Sequence, residues 1–158
     1  SDHTVTLVSR SEKNGNLLVL FGGKDGTKSF NSVHVLDTTH DNNWSWSHPT
    51  VSGTSPSPRS GHSATLLEDN KTILIYGGWN PHDEDSQQSK NEDAIYGDAY
   101  LLDTESWIWR PGPKPKFVGS SGRNGRKHRV GHSAVLAPGL DATEVMVFGG
   151  RLPEDEFA

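Results

Sequence analysis

The chain has 158 residues, of which 31% are apolar, with 17 glycines, nine prolines and a formal charge of −5 at neutral pH. That length suits one domain, the low apolar content argues against a large helical bundle, and five tryptophans point to a packed core. With no cysteine, disulfides, thiolate zinc sites, thiol nucleophiles and iron–sulfur clusters are excluded, and the acidic balance gives no general drive toward nucleic acid or an anionic membrane.

The first predicted element is a weak strand over Asp2–Leu7. Leu17–Phe21 is the longest pure apolar run, too short to span a bilayer. It is closed by Gly22-Gly23, and its continuous apolarity suggests a strand buried on both faces. A third strand ends in Val35-Leu36-Asp37, and a fourth is marked by Trp44-Ser45-Trp46. The same order then returns. Arg59-Ser60-Gly61-His62-Ser63-Ala64 begins a strand, Ile73–Tyr76 runs into Gly77-Gly78, Asp98–Asp103 follows, and Trp107-Ile108-Trp109-Arg110 closes the set. The period of two puts Trp107 and Trp109 on one face of that last strand. Arg129-Val130-Gly131-His132-Ser133-Ala134 and Val145–Phe148 with Gly149-Gly150 start a third copy. No secretory leader opens the chain and Ser1 stands first, so it reads as a processed or excised piece, expected in the cytoplasm.

An ordered set of four motifs, each a short strand and each unit carrying a Gly pair and an aromatic mark, is the signature of propeller blades. The order Arg-x-Gly-His-Ser-Ala, apolar-Gly-Gly, apolar-Asp and Trp resembles the kelch repeat. That resemblance implies an all-β chain: a kelch-type β-propeller segment of four-stranded antiparallel blades in an incomplete ring. Residues 1–57 make a first blade with a degenerate inner strand that lacks Gly-His. Residues 58–110 make a complete second blade with a long insert at 79–97. Residues 111–128 form a long inter-blade loop, and 129–158 the first half of a third blade. The Gly pairs stand 55 and 72 residues apart, against about 50 for a kelch unit, because the second unit carries inserts. Propellers close with four to eight blades, so two and a half imply either further blades in a longer chain or a self-associated copy.

The recurring residues read as structural: Gly22, Gly23, Gly61, Gly77, Gly78, Gly131, Gly149 and Gly150 for turns and close approaches, Trp46 and Trp109 for packing between blades, and Arg59, Arg129, His62 and His132 for hydrogen bonding near the central channel. A catalytic histidine has no reason to recur in each blade. Strand alternation sends the second-to-third loop and the blade-to-blade loop to one face. Both long segments, 79–97 and 111–128, therefore emerge together, whereas the counterpart at 24–31 is shorter. Long loops on a rigid scaffold carry binding. The insert holds Trp79, His82, Asp83, Asp85, Glu92 and Asp93, and the connector holds Arg123, Arg126 and Lys127, so the two loops are opposite in charge. These nine are the candidate partner-binding residues.

The acidic run His82–Asp85 lacks the Asp-x-Asp-x-Asp-Gly spacing of a calcium loop, and no metal or cofactor is assigned. Nucleophile elbow, phosphate loop and His-Glu-x-x-His motifs are absent from the sequence. The expected function is a protein–protein interaction scaffold rather than an enzyme, with another protein as partner and neither nucleic acid nor membrane. The alternative is an accessory propeller part of a larger enzyme whose catalytic residues lie outside this chain.

Overall fold

Stretches rich in β-branched and aromatic residues, punctuated by Gly pairs, become strands that pair in the order in which they occur. The computed structural model describes residues 1–10, 15–40, 43–81, 95–116, 128–139 and 143–151. β1 (Thr4–Ser9), β2 (Asn16–Phe21), β3 (Val33–Asp37) and β4 (Ser45–Ser47) form a four-stranded antiparallel sheet in chain order. β5 (Ser52–Gly53) precedes a second antiparallel set, β6 (Ser63–Leu66), β7 (Thr72–Tyr76), β8 (Ala99–Asp103) and β9 (Ile108–Pro111). β10 (Ser133–Pro138) and β11 (Thr143–Phe148) pair as a third sheet. There is no helix among the described residues. The architecture is an incomplete β-propeller segment, all-β as expected.

One strand was not anticipated. β5, from the connector between the first two blades, runs parallel to β9 and makes the second sheet five-stranded. Gly53 makes this possible. It holds φ +83°, and a Cβ there would lie 2.2 Å from the Trp109 carbonyl oxygen.

The core lies between the first two sheets. Val8, Leu17, Val19, Phe21, Val33 and Val35 from one pack against Ile73, Ile75, Leu102 and Trp109 from the next. β7 is buried on both faces, as its continuous apolarity predicts. β2, with the same pattern, is only half-covered: Leu17, Val19 and Phe21 are buried, and Leu18 and Leu20 lie at the partly open face. Register puts Val5, Leu7, Leu36 and Trp46 on that same face, and Val5, Leu7 and Trp46 are exposed. In the third sheet Val135, Met146 and Phe148 are exposed.

The two repeat tryptophans have different surroundings. Trp46, expected to pack between blades, is 61% exposed among the described residues, on the face turned away from the second sheet. Trp109 is 2% exposed because its side is covered by the first sheet, with its ring centroid 5.1 Å from that of Phe21. Trp107 lies just outside β9 but packs, half-buried, against the same core as Trp109. It precedes the strand at φ +58°, where its N–H closes a turn onto the Asp103 carbonyl at 2.8 Å.

Candidate functional site

The pairs Thr4–Phe21, Ser63–Tyr76 and Ser133–Phe148 hold one register position in three blades, so His3, His62 and His132 are equivalent. His3 escapes the Gly-His pattern because Asp2 stands where Gly61 and Gly131 stand. Asp2 supplies the same left-handed backbone, φ 58° against 62° and 67°. The signal available was His followed by a hydroxyl residue: His3-Thr4, His62-Ser63, His132-Ser133.

The three equivalent positions are stitched across blades. Gly61 N–H donates to the Asp2 carbonyl at 3.0 Å, and Gly131 N–H to the Gly61 carbonyl at 2.8 Å. His62 Nε2 is hydrogen-bonded to Thr4 Oγ1 at 2.8 Å, and His132 Nε2 to Ser63 Oγ at the same distance. Each histidine thus ties its strand to the blade before it. Burial, then the nearby Arg59 and His132, lowers His62 to about 3. Burial, then Arg129, lowers His132 to about 4. Burial keeps both rings neutral at pH 7, and a neutral Nε2 can either donate to the hydroxyl or accept from it.

The Gly pairs make room for these rings. A Cβ on Gly22 would meet the Arg59 carbonyl oxygen and His62 Cε1, both at 2.7 Å. On Gly77 it would meet the Arg129 carbonyl oxygen at 2.6 Å and His132 Cε1 at 2.8 Å. Gly23, Gly78 and Gly150 lie against His3, His62 and His132 of their own blades. Gly149 meets nothing within 4 Å.

Arg59 is fully buried. Its guanidinium donates from Nη1 to the Gly77 carbonyl at 3.0 Å, and bridges both carboxylate oxygens of Asp98 at 2.6 and 3.1 Å. Arg129 Nη1 donates to the Gly149 carbonyl at 2.6 Å in the same manner. Each arginine fastens its own blade's Gly turn.

Antiparallel order places the roots of both long loops at one end of the sheets. Trp79 bridges Ser60 and Ile95, and Lys24 Nζ sits 4.9 Å above its ring centre. Ile95 is buried, and the Tyr96 ring lies under Arg59. Arg129 N–H donates to the Tyr96 carbonyl at 3.1 Å, and Gly78 N–H to the Arg129 carbonyl at 2.7 Å. The insert therefore begins and ends on one hydrogen-bonded platform, and the connector ends on it. Of the nine candidate binding residues, Trp79 is on that platform. His82, Asp83, Asp85, Glu92, Asp93, Arg123, Arg126 and Lys127 lie outside the described residues. Lys24, ion-paired to Asp2 at 3.4 Å, joins the platform and was not anticipated.

The opposite end is built from polar turns. The Asp69 carboxylate accepts from Lys71 N, Thr72 N and Thr72 Oγ1, and Asp103 from Glu105 N and Ser106 N. Arg10 Nη2 donates to the Thr104 carbonyl at 2.9 Å, tying the two blades together there. Among the described residues, no three His, Asp or Glu gather with the geometry of a metal site, and no helix is long and apolar enough to cross a membrane.

Comparison with known proteins adds a family. A family model described as the KLHDC2/KLHL20/DRC7 Kelch-repeats domain matches residues 1–128. Kelch domain-containing protein 3 from Bos taurus is 33% identical over 132 residues, 84% of this chain and 28% of that protein. Host cell factor 2 from Homo sapiens is 30% identical over 155 residues, 94% of this chain and 18% of that protein. A probable serine/threonine-protein kinase from Dictyostelium discoideum is 30% identical over 138 residues, 87% of this chain and 9% of that protein. The chain thus spans less than a third of the length of each.

Proposed function

We propose that this chain, which belongs to the kelch-repeat family, is a protein-binding scaffold whose partner sits on the end of the blades where segments 79–97 and 111–128 emerge. The observation that supports this reading is the bond between Arg129 N–H and the Tyr96 carbonyl, which joins the C-terminal root of the acidic segment to that of the basic one. Such a pair offers a partner complementary charge of both signs, which favours fast and selective encounter. Trp79, with Lys24 over its ring, supplies an aromatic anchor at the root of the insert. The exposed faces at Trp46 and at Phe148 would seat further blades or a second copy.

Reversal of Arg123, Arg126 and Lys127 to Glu tests the reading. Affinity purification followed by mass spectrometry should recover a partner with the parent chain and lose it with the reversed one. Equal recovery with both would overturn the assignment to these loops.

An accessory role within a larger enzyme is a second reading, favoured by the relationship to the Dictyostelium discoideum kinase. In that case the scaffold would recruit substrates or regulators and contribute no reacting group. Fold alone does not choose between the two.

A further inference from the structure

We infer that the cavity on the open side of the first sheet is a guanidinium site, the counterpart of the place that Arg59 fills in the second blade. The cavity has a volume of 380 Å³, and Gly22, Ser32, His34 and Trp46 are among the residues that line it. In the second blade three of the same positions, Gly77, Asp98 and Tyr100, meet the Arg59 guanidinium. Gly22 corresponds to Gly77, since Phe21 and Tyr76 hold the same register. Ser32 corresponds to Asp98, because its carbonyl accepts from Gly22 N–H at 3.3 Å just as the Asp98 carbonyl accepts from Gly77 N–H at 3.1 Å. His34, opposite Leu20, corresponds to Tyr100, opposite Ile75. Trp46, opposite Leu36, corresponds to Trp109, opposite Leu102.

Arg59 shows what such a place binds. Its guanidinium takes the Gly77 carbonyl and the Asp98 carboxylate, with its central carbon 4.3 Å from the centre of the Tyr96 ring and 5.5 Å from that of Tyr100. The bond from Arg129 to the Gly149 carbonyl repeats the arrangement in the third blade. The first blade keeps milder parts: the Gly22 carbonyl, the Ser32 hydroxyl in place of the carboxylate, and the His34 imidazole, hydrogen-bonded to that hydroxyl at 3.0 Å, in place of one phenol. Phe30 stands in place of Tyr96 next to the cavity, with Lys28 Nζ 5.3 Å over its ring. Phe30 N–H and Tyr96 N–H donate to the Gly23 and Gly78 carbonyls at 2.8 and 2.7 Å, which fixes that last correspondence. Carbonyl, hydroxyl and aromatic surfaces suit a planar, weakly hydrated cation better than an ammonium. The position from which Arg59 reaches its site lies one residue before Ser60, and Ser1 is the equivalent of Ser60. Ser1 N donates to the Lys24 carbonyl at 2.5 Å, and Ser60 N to the Trp79 carbonyl at 2.9 Å. An arginine joined to Ser1 would therefore reach the cavity, and so would one offered by a partner.

Two measurements test the site and separate these sources. First, the chain is extended by one residue ahead of Ser1, as Arg, Lys or Ala, with Ser32 intact and with Ser32→Asp, and thermal unfolding is followed. The Arg extension should raise the melting temperature by about 2–4 °C over Lys and Ala, and the gain should grow with Ser32→Asp. The Ser32-intact series stands by itself should the Asp variant fold poorly. Second, the unextended chain is titrated with N-acetylarginine amide and N-acetyllysine amide, following Trp46 fluorescence against a Trp46→Phe control. A saturable response to the arginine compound alone supports a side chain offered by a partner. A gain confined to the tethered Arg supports an arginine of the same chain. No Arg-specific gain together with no saturation overturns the site.

Discussion

Thr4 Oγ1 and His62 Nε2, 58 residues apart in sequence, lie 2.8 Å from each other, and the bond is repeated between Ser63 and His132. The His62 ring also meets Phe21 edge-on at 5.2 Å, and His132 meets Tyr76 likewise at 5.3 Å. Each imidazole therefore holds two contacts to the blade before it, one polar and one aromatic. The inner strands are joined by this unit as well as by apolar packing.

His62→Ala should lower stability by about 2–3 kcal/mol, through the lost bond, the lost ring contact and the space left behind. Thr4→Val alone should cost about 1–3 kcal/mol, because it strands a buried ring nitrogen. Urea unfolding of both single variants and the double variant checks the unit. The double variant should cost clearly less than the sum, and strict additivity would exclude the bond as a stabilising link.

Acid should weaken the chain well above the carboxylate range. His62 and His132 are lowered by burial to about 3 and about 4 from an ordinary 6.5, and His34 is lowered in the same direction by burial and by His48. Between pH 6.5 and 4 the unfolded chain binds protons that the folded chain refuses, so stability falls as pH falls through that window. The loss is on the order of several kcal/mol for the two buried rings together. Carboxylates act lower down. Backbone N–H groups of Thr27 and Lys28 pull Asp25 to about 2, and a Thr39 hydroxyl lowers Asp37, so their support is present above 3.8 and lost only below it. Unfolding free energy measured across pH 7 to 4 should slope downward, and the slope should flatten in a His62→Gln, His132→Gln double variant. A level profile over that interval would contradict the neutral, buried assignment.

The blade pattern was legible because each unit repeats the same local rule: an apolar run, a Gly pair, an Asp turn and a Trp. What escaped the sequence depended on a substituted repeat residue or on neighbours in space. His3 was hidden because Asp2 performs the backbone role of a glycine, which no Gly-His search detects. β5 was hidden because Ser52 and Gly53 have no strand propensity and pair only where the edge of β9 is available. Trp46 and Trp109 look alike in sequence, and only the sheet on the far side of each decides which is buried. Of the candidate site, Trp79 could be located on a platform; the two charged loops are known by composition and by their shared roots.

Gly77→Ala and Gly149→Ala should separate backbone strain from crowding. Both glycines hold φ +66°, so alanine costs about 1–2 kcal/mol at either position. Only at Gly77 would the methyl group run into the Arg129 carbonyl oxygen and the His132 ring, and that clash should add about 1–3 kcal/mol. Denaturant midpoints should therefore fall markedly more for Gly77→Ala. Equal losses would mean that the third sheet does not press on the Gly77 turn.

Trp109→Ala should cost about 3–5 kcal/mol, since the ring is enclosed between Phe21 and the aliphatic core. Its indole N–H reaches no acceptor among the described residues, so Trp109→Phe forfeits volume but no hydrogen bond and should cost clearly less. Trp46 occupies the same register position on a face that no other sheet among the described residues covers, and Trp46→Ala should change stability by less than about 1 kcal/mol. The three variants, compared by urea unfolding monitored in the far ultraviolet, should rank Trp109→Ala, Trp109→Phe, Trp46→Ala in decreasing cost. If Trp46→Ala proved as damaging as Trp109→Ala, the first sheet would have to be covered in solution, by a second copy or by another protein. Repeating the measurement at several chain concentrations then identifies which, because only self-association makes the loss depend on concentration.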